Sequence, residues 1–110
     1  MMKPILAALL AASPMVVLAA SWENVPLVDR TCADTAKDAP DDHPRDCLLQ
    51  CASSGYEILD HGTWVALDEA GDEKAVAALK ATHRKDHIRV DVTGERTGSV
   101  IHVTSLAIAR

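Results

Sequence analysis

The chain has 110 residues, with eleven Lys and Arg against sixteen Asp and Glu, two Trp, one Tyr and no Phe. Apart from Lys3, every charged residue follows residue 20, which leaves ten basic against sixteen acidic residues and a net charge of −6 on the remainder. That charge argues against nucleic-acid binding, which needs clustered Lys and Arg to release counterions, and the cluster Arg84-Lys85 with Arg89 is diluted by Asp86. With Trp22, Tyr56 and Trp64 as the only aromatic residues, a base- or sugar-stacking platform has few members.

Residues 1–20 have the anatomy of a cleavable secretory signal. Lys3 gives a positive start, an apolar stretch runs from Ile5 to Leu18 with Ser13 and Pro14 as its interruptions, and Val17-Leu18-Ala19 or Leu18-Ala19-Ala20 supplies small residues at the cut. The stretch is short for a membrane span, which takes about 20 apolar residues. Ser21 stands where lipoprotein processing would need a cysteine. The expected product is a secreted or periplasmic protein with no stable membrane anchor, its residues 21–110 forming one small domain. A core of that size buries only about 60–65% of the unfolded surface, so a covalent or metal staple is useful.

In chain order, Val25 to Asp29 reads as a short first strand with Pro26 at an edge or start. Thr31 to Asp46 reads as a loop, because Asp34, Asp38, Pro40, Asp41, Asp42 and Pro44 interrupt any regular element. Pro44 suits the first position of a helix spanning roughly Arg45 to Ser54, capped by Asp42 or His43 and stopped by Gly55. Tyr56–Leu59 and Thr63–Leu67 flank a three-residue connection, Asp60-His61-Gly62, as a bulged hairpin. Asp72 is the expected cap of a helix from Glu73 to about Thr82, with Ala75, Val76, Ala78 and Leu79 as its apolar stripe.

Ile88, Val90 and Val92 alternate with Arg89, Asp91 and Thr93, the period of a half-buried strand, and Gly94 and Gly98 bracket the next turn. In the last strand Ile101 and Val103 have one parity, Leu106 and Ile108 the other. That change predicts a bulge near Thr104-Ser105 or burial of both faces. Four to five strands and two short helices, with one helix before the last two strands, predict an α+β domain built on a small OB-like antiparallel β-barrel. Closure hides edges that would otherwise template aggregation. An open antiparallel sheet with both helices on one face is the alternative.

Cys32, His43, Cys47 and Cys51 carry the most chemistry. On a helix, Cys47 and Cys51 share a face one turn apart, with His43 one turn further back. Cys32 from the preceding loop would complete a Cys3His set able to hold zinc or Cu(I). An oxidising compartment favours instead a disulfide from Cys32 to Cys47 or Cys51, with no cofactor. Closing so long a loop stabilises by about 3 kcal/mol in the chain-entropy model. A Cys47–Cys51 bridge is disfavoured, since helical Cβ atoms a turn apart run parallel. The leftover thiol is then inert, intermolecular or reactive, and the three-residue gap between Cys47 and Cys51 is not the C-x-x-C of a thioredoxin site.

Other features point to no chemistry. His83 and His87 have metal-helix spacing, but His87 is expected to begin a strand. His61 belongs to a turn and His102 to a strand. The acidic run Asp34 to Asp46 lacks the spacing and glycine of a calcium loop. With no nucleophile elbow and no phosphate loop, nothing argues for an enzyme.

Leu27-Val28-Asp29 leading to Cys32, then His43-x3-Cys47-x3-Cys51, Ser54-Gly55-Tyr56, Val90-x-Val92-x-Gly94 and Val103-x-Ser105-Leu106 together resemble a group of small exported bacterial proteins of unassigned activity. The resemblance spans nearly all of the mature chain. It implies an OB-like barrel with a cysteine-bearing helix packed beside it, and it implies no activity. The functional expectations are therefore a small exported binding or accessory protein with structural cysteines, serving an unidentified protein or small ligand, or an envelope metal-binding protein. Thiol redox chemistry is a third class and requires an exposed cysteine with a lowered pKa.

Overall fold

The computed structural model describes residues 19–110. All but the last two residues of the expected signal peptide lie outside them. The first strand, β1, spans Ala20–Asp29, so a cut after Ala19 leaves it whole and a cut after Ala20 removes only its exposed first residue. It is longer than its Val25–Asp29 pattern suggests, because the Ala20–Trp22 end finds a partner distant in sequence.

The elements that follow are α1 (Ala33–Ala36), a 3-10 turn (Pro40–Asp42), α2 (Arg45–Gln50), a second 3-10 turn (Ala52–Ser54), β2 (Tyr56–Asp60), β3 (Thr63–Leu67), α3 (Glu69–Ala81), β4 (Arg89–Thr97) and β5 (Val100–Ile108). The strands close into one barrel in the order β1-β2-β3-β5-β4. The closed, five-stranded α+β architecture agrees with the expectation, whereas an all-antiparallel barrel does not. β3 and β5 pair in parallel through Ala66↔Val100 and Leu67↔Ile101, and the other four seams are antiparallel. Directions cannot alternate around a ring with an odd number of strands, so one parallel seam is unavoidable.

The bulge near Thr104 is present: Thr93 pairs with Ser105 and Gly94 with Val103, leaving Thr104 as the extra residue on β5. The β2–β3 connection is tighter than the expected three residues. Asp60 pairs with Thr63, and His61 (φ 50°) and Gly62 (φ 82°) both take the left-handed region, the signature of a type I′ turn whose twist matches the flanking strands. β4 runs through Gly94 to Thr97, where the turn of Gly98 and Ser99 follows, since Thr97 pairs with Val100.

Helix starts also differ from expectation. The cap of α3 is Asp68, whose Oδ1 accepts hydrogen bonds from the backbone N–H of Gly71 (2.9 Å) and of Val103 on β5 (3.2 Å). Asp72 lies inside the helix and accepts instead from the Tyr56 N–H at 2.9 Å. Pro44 is the residue before α2, with φ −72° and ψ 152°, and no side chain caps that helix. The segment expected as a plain loop carries α1, with Ala33 and Ala36 buried, and is tied down by Arg89, which grips Asp41 at 2.9 and 3.0 Å.

The core is the barrel interior together with the helices that cover it. Leu27, Ile58, Val65, Leu67, Val90, Val92 and Ile101 come from strands, Ala75 and Leu79 from α3, and Leu48 from α2. Leu48 anchors α2 through a buried apolar side chain, which is worth about 1.5–3 kcal/mol. Tyr56 donates its hydroxyl to the Leu48 carbonyl at 2.8 Å, so α2 is fixed to β2 by both a core contact and a hydrogen bond. That attachment sets where the α2 cysteines lie relative to the end of β1.

Candidate metal centre

The end of β1 is covered on both faces, as the consecutive burial of Pro26, Leu27, Val28 and Asp29 shows. Asp29 is therefore a fully buried acid, and it is the one fully buried charged residue among the described residues. An ionised carboxylate in that position needs compensating partners, since an unpaired buried charge costs several kcal/mol. The chain turns back directly after it. The Cys32 N–H donates to the Asp29 carbonyl at 3.2 Å and to Oδ2 at 3.2 Å, which brings the Cys32 side chain over the carboxylate.

His43 arrives from the other side of the loop. The Pro40–Asp42 turn ends with the His43 N–H donating to the Pro40 carbonyl, and His43 itself is extended, with φ −79° and ψ 115°. A residue preceding proline is pushed toward that region, and Pro44 follows. The result sets Nε2 of His43 at 2.8 Å from Asp29 Oδ1, with the imidazole 14% exposed. One donor atom from each of Asp29, Cys32 and His43 lies within 4.8 Å of the others.

Cys51 stands beside this group. It lies at the C-terminal end of α2 with φ −98° and ψ 20°, near enough to Asp29 for the carboxylate to raise the pKa of its thiol. Cys47 lies one turn earlier, within α2. Two members of the Cys3His set, Cys32 and His43, belong to the three-donor cluster, and Cys47 and Cys51 are not among its members. All three cysteines carry free thiols. Asp29 is the donor that spacing did not single out. Its one sequence signal is an acid closing the apolar run Leu27-Val28 three residues before a cysteine.

Burial, followed by the Asp29 carboxylate, pushes the thiols of Cys32 and Cys51 above the ordinary cysteine value. Burial and then Asp29 push Tyr56 up to about 12. A nucleophilic or redox-catalytic cysteine needs the opposite, a thiol held low by nearby positive charge. What the arrangement offers is a carboxylate oxygen, a sulfur and an imidazole nitrogen converging on one point. Zinc bonds of about 2.0–2.3 Å to such atoms at tetrahedral angles put neighbouring donors roughly 3.3–3.7 Å apart. The 2.8 Å Asp29–His43 approach is shorter than that and is a direct hydrogen bond, so a cation entering the group would have to part these two side chains.

The remaining histidines lie elsewhere. His61 contacts Asp60 at 2.7 Å in the turn, His87 contacts Asp86 at 2.9 Å, His102 faces Asp68 at 3.6 Å, and His83 is exposed. Asp41 of the acidic run is committed to Arg89, which holds its carboxyl below the usual range. Of the fold implied by the resemblance, the structure shows a closed five-stranded mixed barrel with helices. A scan against protein-family models, a search of curated proteins and a search of solved structures each find no match to the chain.

Proposed function

We propose that this chain is a small exported metal-binding protein of the cell envelope, in which an OB-type barrel presents Asp29, Cys32 and His43 to a zinc ion. The observation that carries the reading is the convergence of three different donor atoms within 4.8 Å around the one fully buried carboxylate among the described residues. A divalent cation there would neutralise Asp29 and draw the proton from Cys32, since metals bind the thiolate. The mixed oxygen, nitrogen and sulfur set favours zinc, and Cu(I), which prefers sulfur, is the second candidate. The OB-type assignment is supported by the strand order with a helix between β3 and β4. Export is supported by the signal anatomy of residues 1–20.

The test is anaerobic zinc titration of the reduced mature protein, followed by native mass spectrometry and a competing chromophoric chelator. One zinc per chain is expected. Asp29→Asn and His43→Ala are each expected to weaken binding at least tenfold with circular dichroism unchanged, and Cys47→Ser to leave it intact. Absence of an adduct in protein whose three thiols are all alkylatable would overturn the reading.

A further inference from the structure

We propose that the cleft between the start of α2 and the segment joining α3 to β4 binds phosphate, as the free ion or as the phosphate group of a small ester, with Arg45 as its principal contact. The site is separate from the three metal donors and does not depend on the metal reading. The cleft has a volume of about 460 Å³ and is lined by Pro44, Arg45, Asp46, His83 and Lys85. Small-ligand sites span about 300–1,000 Å³, so there is room for a phosphate and a short organic remainder.

Arg45 carries the inference, because its side chain is held in place with part of its donor set unused. Its backbone N–H donates to the Lys85 carbonyl at 2.8 Å, and its Nη1 donates to the carbonyl of Thr82 at 2.7 Å, the C-terminal cap of α3. A cation is favoured there by the negative end of the helix dipole. Both bonds orient the guanidinium before any ligand arrives. Nε, by contrast, is buried and has no hydrogen-bond partner among the described residues, a state that costs about 1–3 kcal/mol. Asp46 Oδ1 stands 3.6 Å from Nε and the Asp46 side chain is 85% exposed. That separation is too long for a hydrogen bond, so the carboxylate can turn into solvent and an entering oxyanion can take its place.

The basic cluster of the sequence divides its work in the structure. Arg89 is engaged with Asp41, Arg84 directs Nη1 to the His87 carbonyl at 3.4 Å, and Lys85 lines the cleft beside Arg45 and His83. Basic side chains therefore outnumber the single acid of the lining, on a domain whose net charge is −6. A tetrahedral oxyanion suits this set. The guanidinium fork meets two oxygens side by side, and the lysine ammonium supplies a point charge for a third. A carboxylate has two oxygens and one charge, which matches two permanent cations less well than a phosphate dianion does.

The experiment is a heteronuclear NMR titration of the reduced, metal-free mature protein with inorganic phosphate and, separately, with glycerol phosphate, at constant ionic strength so that screening does not change. Acetate is the control. Saturable shifts are expected at the Arg45 Nε–H and at the backbone amides of Arg45, Asp46 and Lys85. Arg45→Gln is expected to weaken binding about tenfold, the loss of one charge-assisted contact. Because Arg45 also holds Thr82, the exposed Lys85 supplies a variant that leaves the fold alone, and Lys85→Gln should weaken binding about threefold. Asp46→Asn removes the competing carboxylate and should tighten binding by about the same factor. Tighter binding of glycerol phosphate assigns the site to an ester, and equal binding assigns it to the free ion. Absence of saturable shifts at Arg45, an equal response to acetate, or Lys85→Gln and Asp46→Asn both without effect overturns the proposal.

Discussion

Tyr56 is fully buried, hydrogen-bonded through its hydroxyl to Leu48, and flanked by Asp29, Asp72 and Cys51. Burial, and after it the neighbouring Asp29 and Asp72 carboxyl groups, disfavour the phenolate and push its pKa up to about 12. Tyr56 is the sole tyrosine of the chain, so the ultraviolet absorbance of phenolate reports on it alone. A spectrophotometric titration of the reduced, metal-free protein is expected to give a midpoint near 12 in the folded state and near 10 after unfolding. The raised folded value also fixes the sign of the linkage. Its contribution to stability is complete below pH 10, declines as the unfolded chain alone loses the proton, and is gone above about 12. A folded midpoint at 10 would show that Tyr56 is not enclosed.

The same residues show how far the site could be read from the sequence. Cys32 and His43 were legible because few residue types bind metals. Cys47 and Cys51 were included by running the helix repeat back to His43. The helix begins only at Arg45, however, and His43 is held extended by Pro44, so no continuous stripe of ligands exists. Asp29 was not legible, because an acid at a strand end is ordinarily a solvated one. Its burial depends on the segment after Arg30 folding over it, which no local pattern encodes.

Among the elements, α3 depends on Gly71 in its first turn. A Cβ there would lie 2.5 Å from Val103 Cγ2 and 2.9 Å from Leu67 Cβ, and both neighbours belong to the core. Gly71→Ala would gain up to about 1 kcal/mol of helix propensity, but overpacking a tight interior costs about 1–3 kcal/mol. A net loss of roughly 1 kcal/mol is expected, seen as a fall in Tm of about 4–8 °C. A variant as stable as the parent would mean that α3 can move away from β5. This glycine also explains the misplaced helix start. A glycine usually interrupts a helix, so Asp72 was the natural cap by sequence, yet here the missing side chain is what lets the helix approach the barrel, and Asp68 caps it one turn earlier. The hairpin was placed correctly by its alternating residues, and only the turn length differed, because histidine is a less familiar carrier of positive φ than asparagine or glycine.

For the whole molecule, closure was legible from element order and from the parity change in β5, which demands a sharply bent strand. The long β1 was not, because its first half has no local partner. β1 is divided between two neighbours: Leu27 to Asp29 pair with β2, close in sequence, while Ala20 to Trp22 pair with β4, near the far end of the chain. The first of these contacts closes a modest loop and the second encloses most of the domain, and loop-closure entropy must be met before a distant pairing is rewarded. Refolding of the reduced protein is therefore expected on a millisecond-to-second scale. Trp22→Ala is expected to slow it less than it speeds unfolding, because the β1–β4 seam forms last. Equal effects on both rates in stopped-flow measurements would place that seam in the folding nucleus instead. Every donor of the proposed metal centre lies between Asp29 and His43, on the early side of this division. The ligand set is thus assembled by the nearer half of the molecule, and the far strands act afterwards as a clasp.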